Sequence, residues 1–135
     1  MLKIFVFSLI VFSFILYPDS TRAGDFSFSF EWGDIKSCTT GRPNRVPNPI
    51  FSLENVPAGT AVIKFQMKDL NAPNYNHGGG SVEYSGGNTI QPGVFKYKSP
   101  CPPGRVHTYR WKAIARDENG EKLAIATSKR DYPEQ

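Results

Sequence analysis

Every sustained apolar pattern between Asp25 and Ala126 repeats at every second residue, a period that builds β-strands and not helices. Phe26, Phe28, Phe30 and Trp32 alternate with Ser27, Ser29 and Glu31, so four aromatic side chains share one face. Ala61, Ile63, Phe65 and Met67 point one way while Lys64, Gln66 and Lys68 point the other. The longest run places His107, Tyr109, Trp111, Ala113 and Ala115 on one parity and Thr108, Arg110, Lys112 and Arg116 on the other. Asp117-Glu118-Asn119-Gly120 then marks a hairpin, because an Asn-Gly pair takes the positive φ that tight turns need, and a return strand is expected over 122–126. Shorter strands are expected at 50–53, at 81–84 and around Val94, Phe95 and Tyr97. Segments 40–49, 57–60, 71–80, 86–88 and 99–104 are rich in Gly, Pro and Asn and read as loops and turns. Strands at such short intervals predict an all-β, mainly antiparallel domain, either a sandwich or a strongly twisted sheet.

The N-terminus obeys a different logic. Met1-Leu2-Lys3 precedes the apolar segment 4–17 (IFVFSLIVFSFILY), and Pro18-Asp19-Ser20 ends it. That segment has the length of a signal-peptide core and is shorter than the roughly 18 residues of a bilayer span. With small residues at Thr21 and Ala23, the expectation is a cleavable signal peptide over 1–23 and one domain over 24–135, exported to the periplasm or secreted, with no stable membrane span after cleavage. An uncleaved signal anchor is the alternative.

Export bears on the two cysteines. Cys38 and Cys101 are the only pair, and in an oxidising compartment an even pair reads as a disulfide, whereas a metal site wants more ligands at closer spacing. The bridge would close a loop of about 63 residues, worth roughly 4 kcal/mol in the chain-entropy account. Beyond the leader the charge is mildly positive and interspersed, with no run of cations interleaved with aromatics, so nucleic-acid binding finds no support.

Parity also points to a site. Asp69 continues the inward face of its strand, and His107 and Tyr109 begin the inward face of another. Ionisable groups on an apolar face either satisfy one another or face a ligand pocket, because unpaired burial is unfavourable. His77 lies between Asn-rich and Gly-rich stretches where backbone can approach a ligand closely. From the residues alone, a mutually satisfied structural cluster and a binding site remain equally open.

The order Asn48-Pro49, Val56-Pro57-Ala58-Gly59-Thr60, Asp69-Leu70-Asn71-Ala72-Pro73, His77, Pro100-Cys101-Pro102-Pro103 and His107-Thr108-Tyr109 resembles the phosphatidylethanolamine-binding protein family, most of all its bacterial Raf kinase inhibitor-like branch. The resemblance covers about residues 48–117 and implies a large antiparallel sheet packed on a smaller one, in a short form with little or no helix. It also implies a small anion pocket at the sheet edge, lined here by Asp69, Pro73, His77, His107 and Tyr109, that takes phosphate-bearing headgroups such as phosphoethanolamine or phospholipid. Asn71 stands where a second aspartate is usual and Thr108 where an arginine is usual, so one charge of each sign departs from the pattern. Gly78-Gly79-Gly80 replaces a bulkier strand and is expected to loosen the pocket mouth.

The resulting expectation is a ligand-binding protein, not an enzyme, with no cofactor and with a small anion or lipid headgroup as its partner. An enzyme reading would pair Asp69 with His107 and use Ser99 or Tyr109, but no nucleophile motif supports it. A metal reading would use His77, His107 and Asp69. A third reading is an interaction protein with a vestigial pocket and a surface of Tyr75, Tyr84 and Tyr97.

Overall fold

The computed structural model describes residues 24–134, so the expected leader and its cleavage point lie outside the described residues. Nine strands occur in chain order: β1 (Ser27–Glu31), β2 (Arg45–Pro47), β3 (Ile50–Glu54), β4 (Val62–Asp69), β5 (Gly79–Glu83), β6 (Thr89–Ile90), β7 (Lys96–Lys98), β8 (His107–Arg116) and β9 (Lys122–Tyr132). All pairings are antiparallel, and there is no helix among the described residues. They form a four-stranded sheet in the order β5-β4-β8-β9, a three-stranded sheet β1-β3-β6 and the ribbon β2-β7.

The two larger sheets pack face to face through the aromatics that the alternation places inward. Phe51 of β3 stacks on Phe65 of β4 at 4.2 Å between ring centroids, Phe28 of β1 meets Phe65 edge-on at 5.9 Å, and Phe51 meets Trp111 of β8 edge-on at 5.3 Å. Such pairs add about 0.5–1.5 kcal/mol each beyond the area they bury. The fold is therefore the expected all-β antiparallel sandwich, with one inner face per sheet and a shared core. The disulfide is also formed: Cys38 and Cys101 are bonded, with Cα atoms 5.4 Å apart.

Four local expectations change. Within the expected loop 40–49, Arg45–Pro47 is a strand, because Val46 buries its side chain and pairs with Tyr97. The return strand does not end at Ala126: β9 continues to Tyr132, since Thr127, Lys129 and Asp131 lie on the solvent side of a sheet edge and need no apolar character. Tyr97 is not a surface residue; it is 1 % exposed, with its ring edge-on to Trp111 at 5.0 Å. Of the three glycines expected to loosen the pocket mouth, Gly79 and Gly80 instead permit close packing. A Cβ at Gly80 would overlap the Phe95 ring and one at Gly79 would overlap the Phe65 carbonyl, so their smallness lets β5 and Phe95 close onto β4.

Asn48 holds the connection between β2 and β3. Its buried Oδ1 accepts from the amides of Val94 (2.9 Å) and Phe95 (3.1 Å), and its Nδ2 donates to the carbonyls of Pro49 (2.8 Å) and Gln91 (3.0 Å). Replacing it would strand several buried backbone groups at about 1–3 kcal/mol each. Asn48→Ala is expected to lower unfolding free energy by at least about 2 kcal/mol in urea titration, with the slope unchanged.

Candidate functional site

Asp69 is the last residue of β4, and its carboxylate shapes the turn beyond it. Oδ1 accepts from the amides of Asn71 (2.8 Å) and Ala72 (3.1 Å), an Asx turn that stops the strand and reverses the chain. Oδ2 accepts from His107 Nδ1 at 2.7 Å, across the register that pairs Asp69 with Tyr109. Both residues are about 4 % exposed. Burial pushes the Asp69 carboxyl up, but the hydrogen bond and charge of His107 together with the two amides outweigh it, and the group is held below the usual carboxylate range. The carboxylate is thus ionised and already accepts three hydrogen bonds. It orients His107 and has little capacity left for a ligand.

Because the ionised carboxylate accepts the hydrogen bond of Nδ1–H, the outward nitrogen of His107 is Nε2, a donor when the ring is cationic and an acceptor when it is neutral. Nε2 is buried and has no hydrogen-bond partner among the described residues, and the same holds for the Tyr109 hydroxyl. Burial first, and then the Asp69 charge, push the Tyr109 phenol well above its ordinary value, so it remains an O–H donor. Tyr97 and Trp111 also carry unpartnered polar atoms, but they lie in the aromatic core, whereas His107 and Tyr109 line a cavity.

That cavity has a volume of about 140 Å³ and is walled by Asp69, Ala72, Tyr75, His77, His107 and Tyr109, with Pro43 and Pro103 closing it from two further loops. His77 enters from the segment before β5. Its Nδ1 donates to the Lys98 carbonyl at 2.8 Å, while the Lys98 amide donates back to the His77 carbonyl, so the ring is fixed in orientation. Burial lowers the His77 pKa against the smaller opposing pull of the Lys98 carbonyl and of Asp69. The neutral ring then offers Nε2 as an acceptor. Tyr75 meets His77 edge-on at 4.7 Å, and Tyr109 meets it at 5.5 Å.

Four of the five residues expected at a site therefore converge: Asp69, His77, His107 and Tyr109. Pro73 does not join them. The Asx turn directs Ala72 into the cavity and leaves Pro73 exposed on the opposite side of the loop, beside Lys68 and Arg110. Asn71 and Thr108, the two departures from the motif, also lie outside the cavity. Asn71 Oδ1 accepts from the Thr108 amide at 2.8 Å, and the Thr108 hydroxyl donates to Asp131 at 2.6 Å, so both tie strands together. Sequence reasoning missed Tyr75, Pro43 and Pro103 as wall residues. The disulfide joins the loops that carry the two prolines, a convergence no local pattern announces. Ser99 accepts from the Asn44 amide and is fully buried away from this cavity, which leaves it no nucleophilic role there. Among the described residues no set of three His, Cys, Asp or Glu side chains is placed to hold a metal ion.

The chain is similar to one solved structure, a protein of Chlamydia trachomatis described as a phosphatidylethanolamine-binding protein homologue. The two share 15 % identity with a TM-score of 0.49, over 82 % of this chain and 99 % of the other. It bears the name of the family that the motif order resembles. No sequence-family model and no curated protein matches the chain.

The site has two measurable consequences for stability. The unfolded chain binds a proton to a histidine near pH 6.5 that folded His77 resists, so acidification through and below that pH destabilises the protein. Unfolding free energy measured between pH 7.5 and 5 should fall less steeply in His77→Gln than in the wild type. Replacing both cysteines with serine should lower stability by about 2–5 kcal/mol in denaturant titration.

Proposed function

We propose that this is an exported protein that binds a small phosphate-bearing headgroup, phosphoethanolamine or the same group on a phospholipid, in the cavity around His107. The observation that carries the reading is the pair of buried, unpartnered polar atoms, His107 Nε2 and Tyr109 Oη, on side chains that line one cavity. Buried polar groups are normally satisfied, so two such atoms beside an open-mouthed cavity favour a ligand that completes them. A phosphate oxygen accepts from the cationic imidazole and from the phenol, and Asp69 stabilises the charge of the ring. The neutral Nε2 of His77 suits the donor end of the same headgroup, an ammonium or hydroxyl. At about 140 Å³ the space is well below the roughly 300–1,000 Å³ of drug-sized sites, so it takes a headgroup and leaves acyl chains outside. A disulfide is compatible with the exported setting in which lipid headgroups and their fragments are met.

Titration calorimetry with phosphoethanolamine should show binding that weakens at least tenfold in His107→Ala and about tenfold in Tyr109→Phe. Affinity that is unchanged in both variants would contradict the assignment.

A further inference from the structure

The outward face of the four-stranded sheet carries a charge distribution quite unlike the rest of the molecule. Register places Lys68, Arg110 and Lys129 in a single row across β4, β8 and β9, with Lys112 in the next row. Like charges set opposite one another across strands repel, so such a row is unfavourable unless something supplies negative charge. The whole face, from β5 to β9, holds seven of the fourteen Lys and Arg side chains between residues 24 and 134 but only two carboxylates, Glu83 and Asp131, of eleven. It therefore bears a formal charge of about +5, and the remainder of the domain about −2. Asp131 is further engaged by the Thr108 hydroxyl. The buried Arg110 Nε has no partner among the described residues.

Two further features lie on this face. Beyond the edge of β4, the loop that the Asp69 turn throws outward encloses a hollow of about 240 Å³ with Lys68, Arg110 and Lys112 on one side and the amides of Asn74 and Asn76 on the other. Further along β9, Ile125 is 48 % exposed and is paired with Ile114, while Leu123, displaced by the bulge opposite Ala115 and Arg116, is 39 % exposed. These aliphatic side chains stand next to the cationic rows, and no other element covers them among the described residues.

We infer that this sheet face docks on an anionic phospholipid surface, with phosphate groups against the cationic rows and in the hollow, and with Ile125 and Leu123 entering the interfacial region. The charge alone would suit any polyanion. The aliphatic side chains decide among polyanions, since a hydrated glycan or nucleic-acid backbone gives them nothing to leave water for, whereas the acyl boundary of a bilayer does. The inference is independent of the cavity, which opens between the loops around Ala72, Tyr75 and Pro103 and not onto the cationic rows.

Vesicle sedimentation with the full chain tests it, comparing vesicles of phosphatidylcholine alone with vesicles containing phosphatidylglycerol. The apolar segment 4–17 is common to every variant, so its contribution cancels in the comparison of one protein with another. Binding to the anionic vesicles is expected to exceed that to neutral ones, to fall on raising salt to about 0.5 M, and to drop by about thirtyfold in the doubly substituted Lys68→Gln, Lys112→Gln protein. Ile125→Ser should weaken it severalfold, and His107→Ala should leave it unchanged. Thermal melts confirm that each variant is folded. Equal binding to both vesicle types, or anionic binding insensitive to the lysine substitutions, overturns the inference. So does retention on heparin or single-stranded oligonucleotide by a protein that ignores vesicles. Loss of vesicle binding in His107→Ala would place the contact at the cavity instead and equally overturn it, whereas failure of headgroup binding in solution has no effect on it.

Discussion

A carboxylate held at about 4 % exposure would be strongly unfavourable without partners, and the way Asp69 is satisfied determines much of what surrounds it. One oxygen takes two amides of the adjoining turn and the other takes His107, so a single side chain ends β4, fixes the first residue of β8 and sends the intervening loop across the sheet edge. The consequences fall on both sides of that loop. Inward, Ala72, Tyr75 and His77 become walls of a cavity; outward, Pro73, Asn74 and Asn76 become the rim of a cationic hollow. The ring of Tyr75 borders both spaces.

Packing makes this arrangement rigid. The cavity wall continues directly into the core, because Tyr109 shares its face of β8 with Trp111 and meets Trp32 edge-on at 5.6 Å. Trp32 in turn donates from its indole nitrogen to the Asp131 carbonyl at 2.8 Å, and Arg130 donates to the Phe30 carbonyl, so the small sheet is latched to the edge of the large one near the site. The disulfide supplies the opposite wall by joining the loops of Pro43 and Pro103. A site built on strand ends and clamped loops holds its donors in place before any ligand arrives, which reduces the ordering that binding requires.

The strands are legible in the sequence where burial is one-sided. β1, β4 and β8 show unbroken alternation because every second side chain enters one aromatic core, and the same parity exposes Asp69, His107 and Tyr109 as inward polar residues. β2 and the last half of β9 are hidden for opposite reasons. Val46 is the single apolar signal between prolines, and the end of β9 owes its pairing to β8 and not to apolar side chains of its own. Pro73 is misplaced by the motif because motif order gives proximity along the chain and not the side of a turn on which a residue falls. Tyr75, Pro43 and Pro103 escape a sequence reading since only the converged loops bring them together. The cationic rows are present as the outward parity of β4, β8 and β9, but their alignment needs the register.

The central claim is that the Asp69-held ring of His107 presents Nε2 to a phosphate oxygen. Long-range proton–nitrogen correlation spectra of the histidine side chains, recorded during titration with phosphoethanolamine, observe that atom directly. The account predicts that the Nε2 resonance of His107 shifts with saturation of the ligand as that atom gains a hydrogen-bond partner, while Nδ1, already bound to Asp69, changes little. Ligand binding that leaves both nitrogens of His107 unmoved would contradict it.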